Sequence, residues 1–387
     1  MQDYTNIPTL LGHHGRRRGQ KQEKRAVCLP RPQKWLRRID GMSENDQHGE
    51  EMMKNWIHKI GLSALAAGAA TTASAGSITV YTALEEEEVA GYVAAAEKAL
   101  PDVELNVLRL STGKLGARIL AEADNPQADV IWGWAVTAMM DPRILDMLES
   151  YKTEGVEVLG DAFRDPQDRW FAPIGYMGAF CVNTARLEDK GLPMPTSWED
   201  LENPAFKDEI LMPDPNSSGT GYLHVNAVLQ SMGDEAGWAQ LEAVDPNMAQ
   251  YTSSGSKPCK SARVGEYTVG ISLAFTAMQS IEEGYPLAMV FPEGGVGYEL
   301  EASGLMASSD NKADARKFLD WTMSEEATGL YSEYKALITI PGVKSKAATP
   351  EMGMPDDIGD ILADVDFAAS ADRQTEVKKT WKEKFGR

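Results

Sequence analysis

The stretch Ser77–Trp132, SITVYTALEEEEVAGYVAAAEKALPDVELNVLRLSTGKLGARILAEADNPQADVIW, decides the fold. Its first six residues, Ser77–Thr82, predict a buried strand. Glu85–Ala99 follows as an acidic helix with Val89, Tyr92, Val93 and Ala96 on one face. Glu104–Leu110 reads as a second strand, Leu115–Ala123 as a second helix and Asp129–Trp132 as a third strand. Alternation at these lengths requires a largely parallel sheet, with ligands gathered beyond the carboxyl ends of the strands. Tyr81, Thr82, Ser111, Thr112 and Trp132 fall at such ends.

Outward from this unit the logic repeats. Tyr176–Asn183 predicts a strand that leaves a first lobe. Thr196 has the composition of an N-cap, and Ile210–Met212 of a short strand. Tyr222–Met232 predicts a helix. Pro258 fits the first turn of another that continues through Lys260–Gly265. Thr268–Ser272 reads as a strand, and Leu287–Phe291 returns the chain toward the first lobe. Lys312–Thr322 and Glu325–Lys335 form an amphipathic pair, and the tail after Ala347 is expected to pack on the second lobe through Val377, Trp381 and Phe385. Two such lobes joined by crossing strands place a ligand in the cleft between them and make hinge closure the natural motion.

Three hydroxyl- and glycine-rich clusters lead into helices: Ser111-Thr112-Gly113, Ser217-Ser218-Gly219-Thr220-Gly221 and Ser253-Ser254-Gly255-Ser256. Any one of them is an ordinary cap or turn. Together they supply hydroxyl donors, close backbone approach and unpaired helix N–H groups, which suit the tetrahedral oxygens of a phosphate or phosphonate without requiring an arginine.

The chain has 387 residues and a net charge of −20. Residues 1–52, with Arg16-Arg17-Arg18 and no apolar periodicity, read as an extension outside the fold. Met53 starts a signal-peptide pattern: Lys54 and Lys59, an apolar run from Ile60 to Ala70, and Ala73-Ser74-Ala75 as the cleavage site. Translation from Met53 and cleavage after Ala75 are therefore expected. That would leave 26 basic against 51 acidic residues, which argues against nucleic acid and anionic membranes. Cys181 and Cys259 remain, and a chain of this size is expected to leave them unpaired. The lone remaining histidine, His224, is expected to be buried or capping. The sequence has no Cys-x-x-Cys, no His-x-x-x-His, no Gly-x-Ser-x-Gly and no phosphate-binding Gly-x-x-x-x-Gly-Lys loop, so it offers no enzymatic, metal or cofactor site.

These residues resemble the periplasmic solute-binding proteins of ABC importers, type II fold, and within them the 2-aminoethylphosphonate-binding branch. The matching stretches are Val80–Glu85, Ser111–Gly113, Asn125–Gly133, Pro195–Trp198, Ser217–Gly221 and Gln250–Cys259. The resemblance implies an α/β protein of two lobes, each a mainly parallel sheet flanked by helices, joined by hinge strands. The first lobe is expected to span 76–178 and 290–345, and the second 179–289 and 346–387. It also implies a phosphonate held by Ser111, Thr112, Ser218, Thr220, Gly221, Ser254 and Ser256. Glu301 is the first choice for the ligand amine, with Glu85, Trp132 and Tyr81 as further cleft-wall residues. Lys257 is expected to face solvent. The implied partners are an inner-membrane permease and its ATPase, with the receptor monomeric in the periplasm. Iron-binding relatives carry adjacent tyrosines where this chain has Phe275-Thr276, which disfavours ferric ion. A phosphate or phosphate ester, a polyamine, and an enzyme on the same fold stand as the alternative readings.

Overall fold

The computed structural model describes residues 76–355 and 357–386; the expected extension and signal peptide lie outside the described residues. Gly76–Thr82 forms β1, followed by α1 (Glu86–Ala99), β2 (Val103–Arg109), α2 (Thr112–Ala121) and β3 (Val130–Ala135). β1 pairs in parallel with both β2 and β3. The short helices α3 (Val136–Met139) and α4 (Pro142–Leu145) and the strand β4 (Leu148–Glu149) lead to β5 (Phe171–Asn183), the longest strand.

The second lobe repeats the plan with α5 (Thr184–Lys190), β6 (Ile210–Pro213), α6 (Gly219–Met232), α7 (Asp234–Val244), β7 (Met248–Thr252), α8 (Lys257–Arg263), β8 (Val269–Leu273), α9 (Ala274–Glu282) and β9 (Leu287–Val290). The chain then returns through β10 (Tyr298–Met306), α10 (Lys312–Thr322), α11 (Glu325–Tyr334) and β11 (Leu337–Ile338), and ends in α12 (Phe367–Phe385).

One hydrogen-bonded path runs β2-β1-β3-β10-β5-β8-β6-β7. Its ends are alike. β2-β1-β3 and β7-β6-β8 each place the first strand of a parallel triplet in the middle, and each triplet is closed by an antiparallel strand, β10 or β5. β5 serves both lobes: its residues up to Met177 pair with β10, and those from Gly178 to Val182 pair with β8. A strand covered on both faces reads as a continuous apolar run. Only Tyr176 among its residues is partly exposed.

Helices cover both faces. Ile78, Val80, Trp132, Phe318 and Tyr331 share one buried cluster, while Tyr81, Leu115, Ile131 and Trp134 share the cluster on the opposite face. In the second lobe Val377, Trp381 and Phe385 of α12 pack with Phe180, Met212 and Ile271. The start of α12 reaches the first lobe: the Phe367 ring lies edge-on to Tyr298 at 5.2 Å, and the Gln374 amide donates to Thr137 Oγ1 at 3.3 Å. No helix of the described residues is long and apolar enough to cross a membrane.

Two expectations are corrected here. Cys181 and Cys259 are joined by a disulfide, with Cα atoms 5.3 Å apart. The cause lies one strand away. Cys181 pairs in register with Gly270, and a Cβ at Gly270 would sit 2.4 Å from the Pro258 carbonyl. The bare glycine lets the start of α8 settle onto the sheet, which brings Cys259 over Cys181. Thr196 does not cap a helix. Its N–H and hydroxyl both donate to Asp200, at 2.8 and 2.9 Å, ahead of a 3-10 turn at Glu199–Glu202.

Candidate functional site

The carboxyl ends of the strands open on one cleft between the lobes. From the first lobe come Ala83 and Glu85 after β1, Arg109 at the end of β2, Ser111 and Thr112 at the start of α2, and Gly133 and Ala135 of β3. The second lobe contributes Ser218, Gly219 and Thr220 at the start of α6, then Gly255, Leu273 and Phe275. Tyr176 of β5, Glu301 of β10, Glu88 of α1 and Lys335 after α11 complete the wall.

The three clusters all precede helices, as N-caps Ser111, Ser218 and Ser256 of α2, α6 and α8. They also meet. A Cβ at Gly219 would lie 2.6 Å from Thr112 Oγ1 and 2.7 Å from the Tyr176 hydroxyl. One at Gly255 would lie 2.2 Å from Thr220 Oγ1 and 3.2 Å from Ser218 Oγ. Any side chain at either position would fill the space the hydroxyls share. Thr220 and Ser218 are buried, and the Tyr176 hydroxyl is buried with no well-aligned hydrogen bond. The arrangement offers hydroxyl donors at the positive ends of α2 and α6, which is the chemistry an oxyanion requires.

The lobes touch around this cleft. Gly113 N–H donates to the Ser217 carbonyl at 3.2 Å, Ser256 Oγ donates to Glu85 Oε2 at 2.9 Å, and Lys260 pairs with Glu87 at 2.6 Å. Deeper in, Lys335 Nζ stands 2.7 Å from Glu88 and 2.7 Å from Glu301, all three nearly inaccessible to water. Glu88 is aimed there by its own helix start, where it accepts from the Glu85 N–H at 3.0 Å as a capping side chain. Against burial, which lowers it, the two carboxylates hold the Lys335 pKa above its ordinary value. Glu85 pairs with Arg109 at 2.9 Å; burial raises its pKa, and Arg109 and the Ser256 bond oppose that rise.

The expected site residues divide. Ser111, Thr112, Ser218, Thr220, Glu85 and Glu301 line the cleft. Gly221 sits behind it, where a Cβ would meet the Pro213 carbonyl at 2.5 Å, and its N–H donates to Ser218 Oγ at 3.4 Å. Ser256 spends its hydroxyl on Glu85, and Ser254 Oγ lies 3.4 Å from Ser256 Oγ outside the wall. Lys257 is exposed.

Tyr81 and Trp132 are corrected: neither reaches the cleft. Both still lie within strands, so their side chains point into the layers between sheet and helices. Tyr81 donates to Glu122 at 2.9 Å and accepts from Arg118 at 3.0 Å, and Trp132 lies edge-on to Phe318 at 5.3 Å. The residues just beyond them, Ala83 and Gly133, form the wall instead.

His224 is fully buried below the cleft, its Nε2–H donating to the Ser272 carbonyl at 2.9 Å. Burial pushes its pKa down to about 4, with that hydrogen bond opposing. The unfolded chain therefore takes up a proton between pH 6.5 and 4 that the folded protein refuses, and stability falls as pH drops through that window. The expected loss is about 3 kcal/mol. Urea unfolding of His224→Met should show that much less acid sensitivity; an unchanged slope would assign the loss to other groups.

Sequence reasoning missed Arg109, Glu88, Tyr176 and Lys335. Arg109 had a signal, since it ends a strand immediately before the first cluster. Glu88 was hidden in a run of four glutamates, and Lys335 arrives from the far end of the chain with no motif. The clusters were read as an oxyanion site that requires no arginine; the cleft nonetheless contains Arg109, itself engaged by Glu85. Among the described residues no group of three or more His, Cys, Asp or Glu side chains is arranged to hold a metal ion.

A family model for bacterial extracellular solute-binding proteins matches residues 126–368. The chain belongs to that family. It is a binding protein and not an enzyme. This solute-binding protein is 33% identical to an uncharacterized protein of Haemophilus influenzae over 235 residues, 59% of this chain and 68% of the relative. It is 24% identical over 310 residues to the probable ABC transporter periplasmic-binding protein y4fP of Sinorhizobium fredii, 77% of this chain and 83% of that one. Among solved structures, the periplasmic binding protein AfuA of Actinobacillus pleuropneumoniae, with fructose-6-phosphate bound, superposes with a TM-score of 0.74 at 29% identity. That match covers 80% of this chain and 99% of AfuA.

Proposed function

We propose that this protein is the periplasmic receptor of an ABC importer, that it closes on a small organophosphorus anion, and that 2-aminoethylphosphonate is its ligand. The carrying observation is that the Thr112, Ser218 and Thr220 hydroxyls, at the starts of α2 and α6, line one cleft. Export by the 53–75 signal, a monomeric state and delivery to an inner-membrane permease with its ATPase belong to the same reading. The cleft also holds three carboxyls, Glu85, Glu88 and Glu301, against two cations, Arg109 and Lys335. That excess leaves room for one positive charge on the ligand.

A second reading, a sugar phosphate, is favoured by the fructose-6-phosphate in AfuA. Thermal-shift titration with 2-aminoethylphosphonate, fructose-6-phosphate and inorganic phosphate separates the readings. A ligand at 100 times its Kd adds about 2.7 kcal/mol of stability. A shift with the aminophosphonate alone supports the first reading, and a shift with the sugar phosphate alone replaces it. Thr220→Val keeps the shape and deletes one donor, so binding should weaken by about 1–3 kcal/mol. Unchanged affinity would make that cluster structural.

A further inference from the structure

We infer that Glu88, Lys335 and Glu301 form a charge-reading subsite of the cleft, in which the cationic end of a zwitterionic ligand takes the place of a proton that leaves to solvent. The inference rests on the receptor reading above and deepens it. It assigns the ligand class by charge and gives roles to two residues, Glu88 and Lys335, that no motif marks.

The geometry is unusual in its stoichiometry. One ammonium is held by two carboxylates, through Nζ contacts of 2.7 and 2.8 Å to the Glu88 oxygens and of 2.7 and 3.0 Å to those of Glu301. All three residues are at most 5% exposed and all three face the cleft. The other groups packed around them cannot balance the count. Just ahead of α1, Glu85 is neutralised by Arg109, and from α1 the Tyr92 hydroxyl donates to Glu88 at 3.2 Å. From α11, the Tyr331 hydroxyl is spent on the Thr322 carbonyl, and from α9 comes only the Phe275 ring, 5.8 Å from the Lys335 ammonium. Glu299, two residues along β10, is engaged elsewhere and accepts from Thr137 Oγ1 at 2.5 Å.

A buried set with one carboxyl in excess either holds a proton or carries an uncompensated charge, and the second is costly. Burial pushes the Glu301 carboxyl well above the usual carboxylate range, with Lys335 opposing and Glu88 adding to the rise. A ligand ammonium beside the carboxylates removes the reason for the proton. A neutral polyol does not. The Phe275 ring adds an apolar face suited to a short alkyl chain or a cation.

The test is isothermal titration calorimetry at pH 7 in two buffers of different ionisation enthalpy, with 2-aminoethylphosphonate and fructose-6-phosphate, on wild type and Glu301→Gln. The phosphonate can exchange protons by itself, so the readout is the wild-type proton release minus that of the variant. The expected result is a difference of half a proton or more for the aminophosphonate and none for the sugar phosphate. Aminophosphonate affinity should also fall at least tenfold in Glu301→Gln. Equal proton release in wild type and variant would overturn the inference. Infrared difference spectroscopy of the ligand-free proteins supplies an arm independent of ligand identity. Wild type at pH 7 should show a protonated buried carboxyl that Glu301→Gln lacks, and its absence would also overturn the inference. If neither ligand binds, the receptor reading for these ligands fails while the infrared result still decides whether the triad holds its proton.

Discussion

Removing the disulfide with Cys181→Ala and Cys259→Ala together is expected to lower stability by about 4 kcal/mol. The bond closes a loop across a sequence separation of 78 residues, and loops of that length lose roughly 3–4.7 kcal/mol of denatured-state restriction when opened. The loss should appear as a lower urea midpoint in the double variant and, to the same extent, in wild type under reducing conditions. A midpoint that does not move would mean that strain in the native bond cancels the gain. The location adds a local consequence. Cys181 lies on β5 just past the point where that strand changes lobes, and Cys259 lies in α8, directly after the Ser253–Ser256 loop. Opening the bond frees one wall of the cleft from the hinge strand, so hydrogen exchange at Gly255–Lys260 should rise more than at α6.

The fold was legible because its parallel triplets announce themselves as apolar runs separated by amphipathic helices, and Ser77–Trp132 contains a complete one. β5 was read only from Tyr176 onward, since Pro173 and Gly175 interrupt the β-branched run that marks a strand. The cysteine pair was read wrongly for a related reason. What joins it is the emptiness of Gly270, a contact between distant segments that leaves no periodicity. At the site, the hydroxyl clusters were found because short-range caps determine them. The charged half was not, because Glu88, Glu301 and Lys335 lie on three separate elements and meet only through topology. Tyr81 and Trp132 failed because both still lie within strands, on opposite faces of the sheet, where their side chains are buried in the layers against the helices and not in the cleft beyond the strand ends.

Lys335→Met should be the most damaging single change in the cleft, at about 3–5 kcal/mol near neutral pH. Removing the ammonium leaves Glu88 and Glu301 facing each other in a dry pocket, and losing one member of a buried ion set costs that much through the charge left behind. The cost should depend on pH in a defined direction. Without the lysine nothing opposes burial and the facing Glu88, which push the Glu301 carboxyl above its unfolded range, so the folded form prefers it protonated. That preference stabilises below the unfolded value near 4.5 and is lost as pH rises through the folded value. The deficit relative to wild type should therefore be small at pH 4.5 and large at pH 8, read from urea unfolding at both. Adding Glu88→Gln and Glu301→Gln to Lys335→Met removes the stranded charges and should recover most of the loss at pH 8, at the same volume and with no ion left. Recovery of stability without recovery of ligand binding would separate what these residues do for the fold from what they do for the ligand. A deficit that is the same at both pH values would show that Lys335 does not act through its charge on these carboxyls.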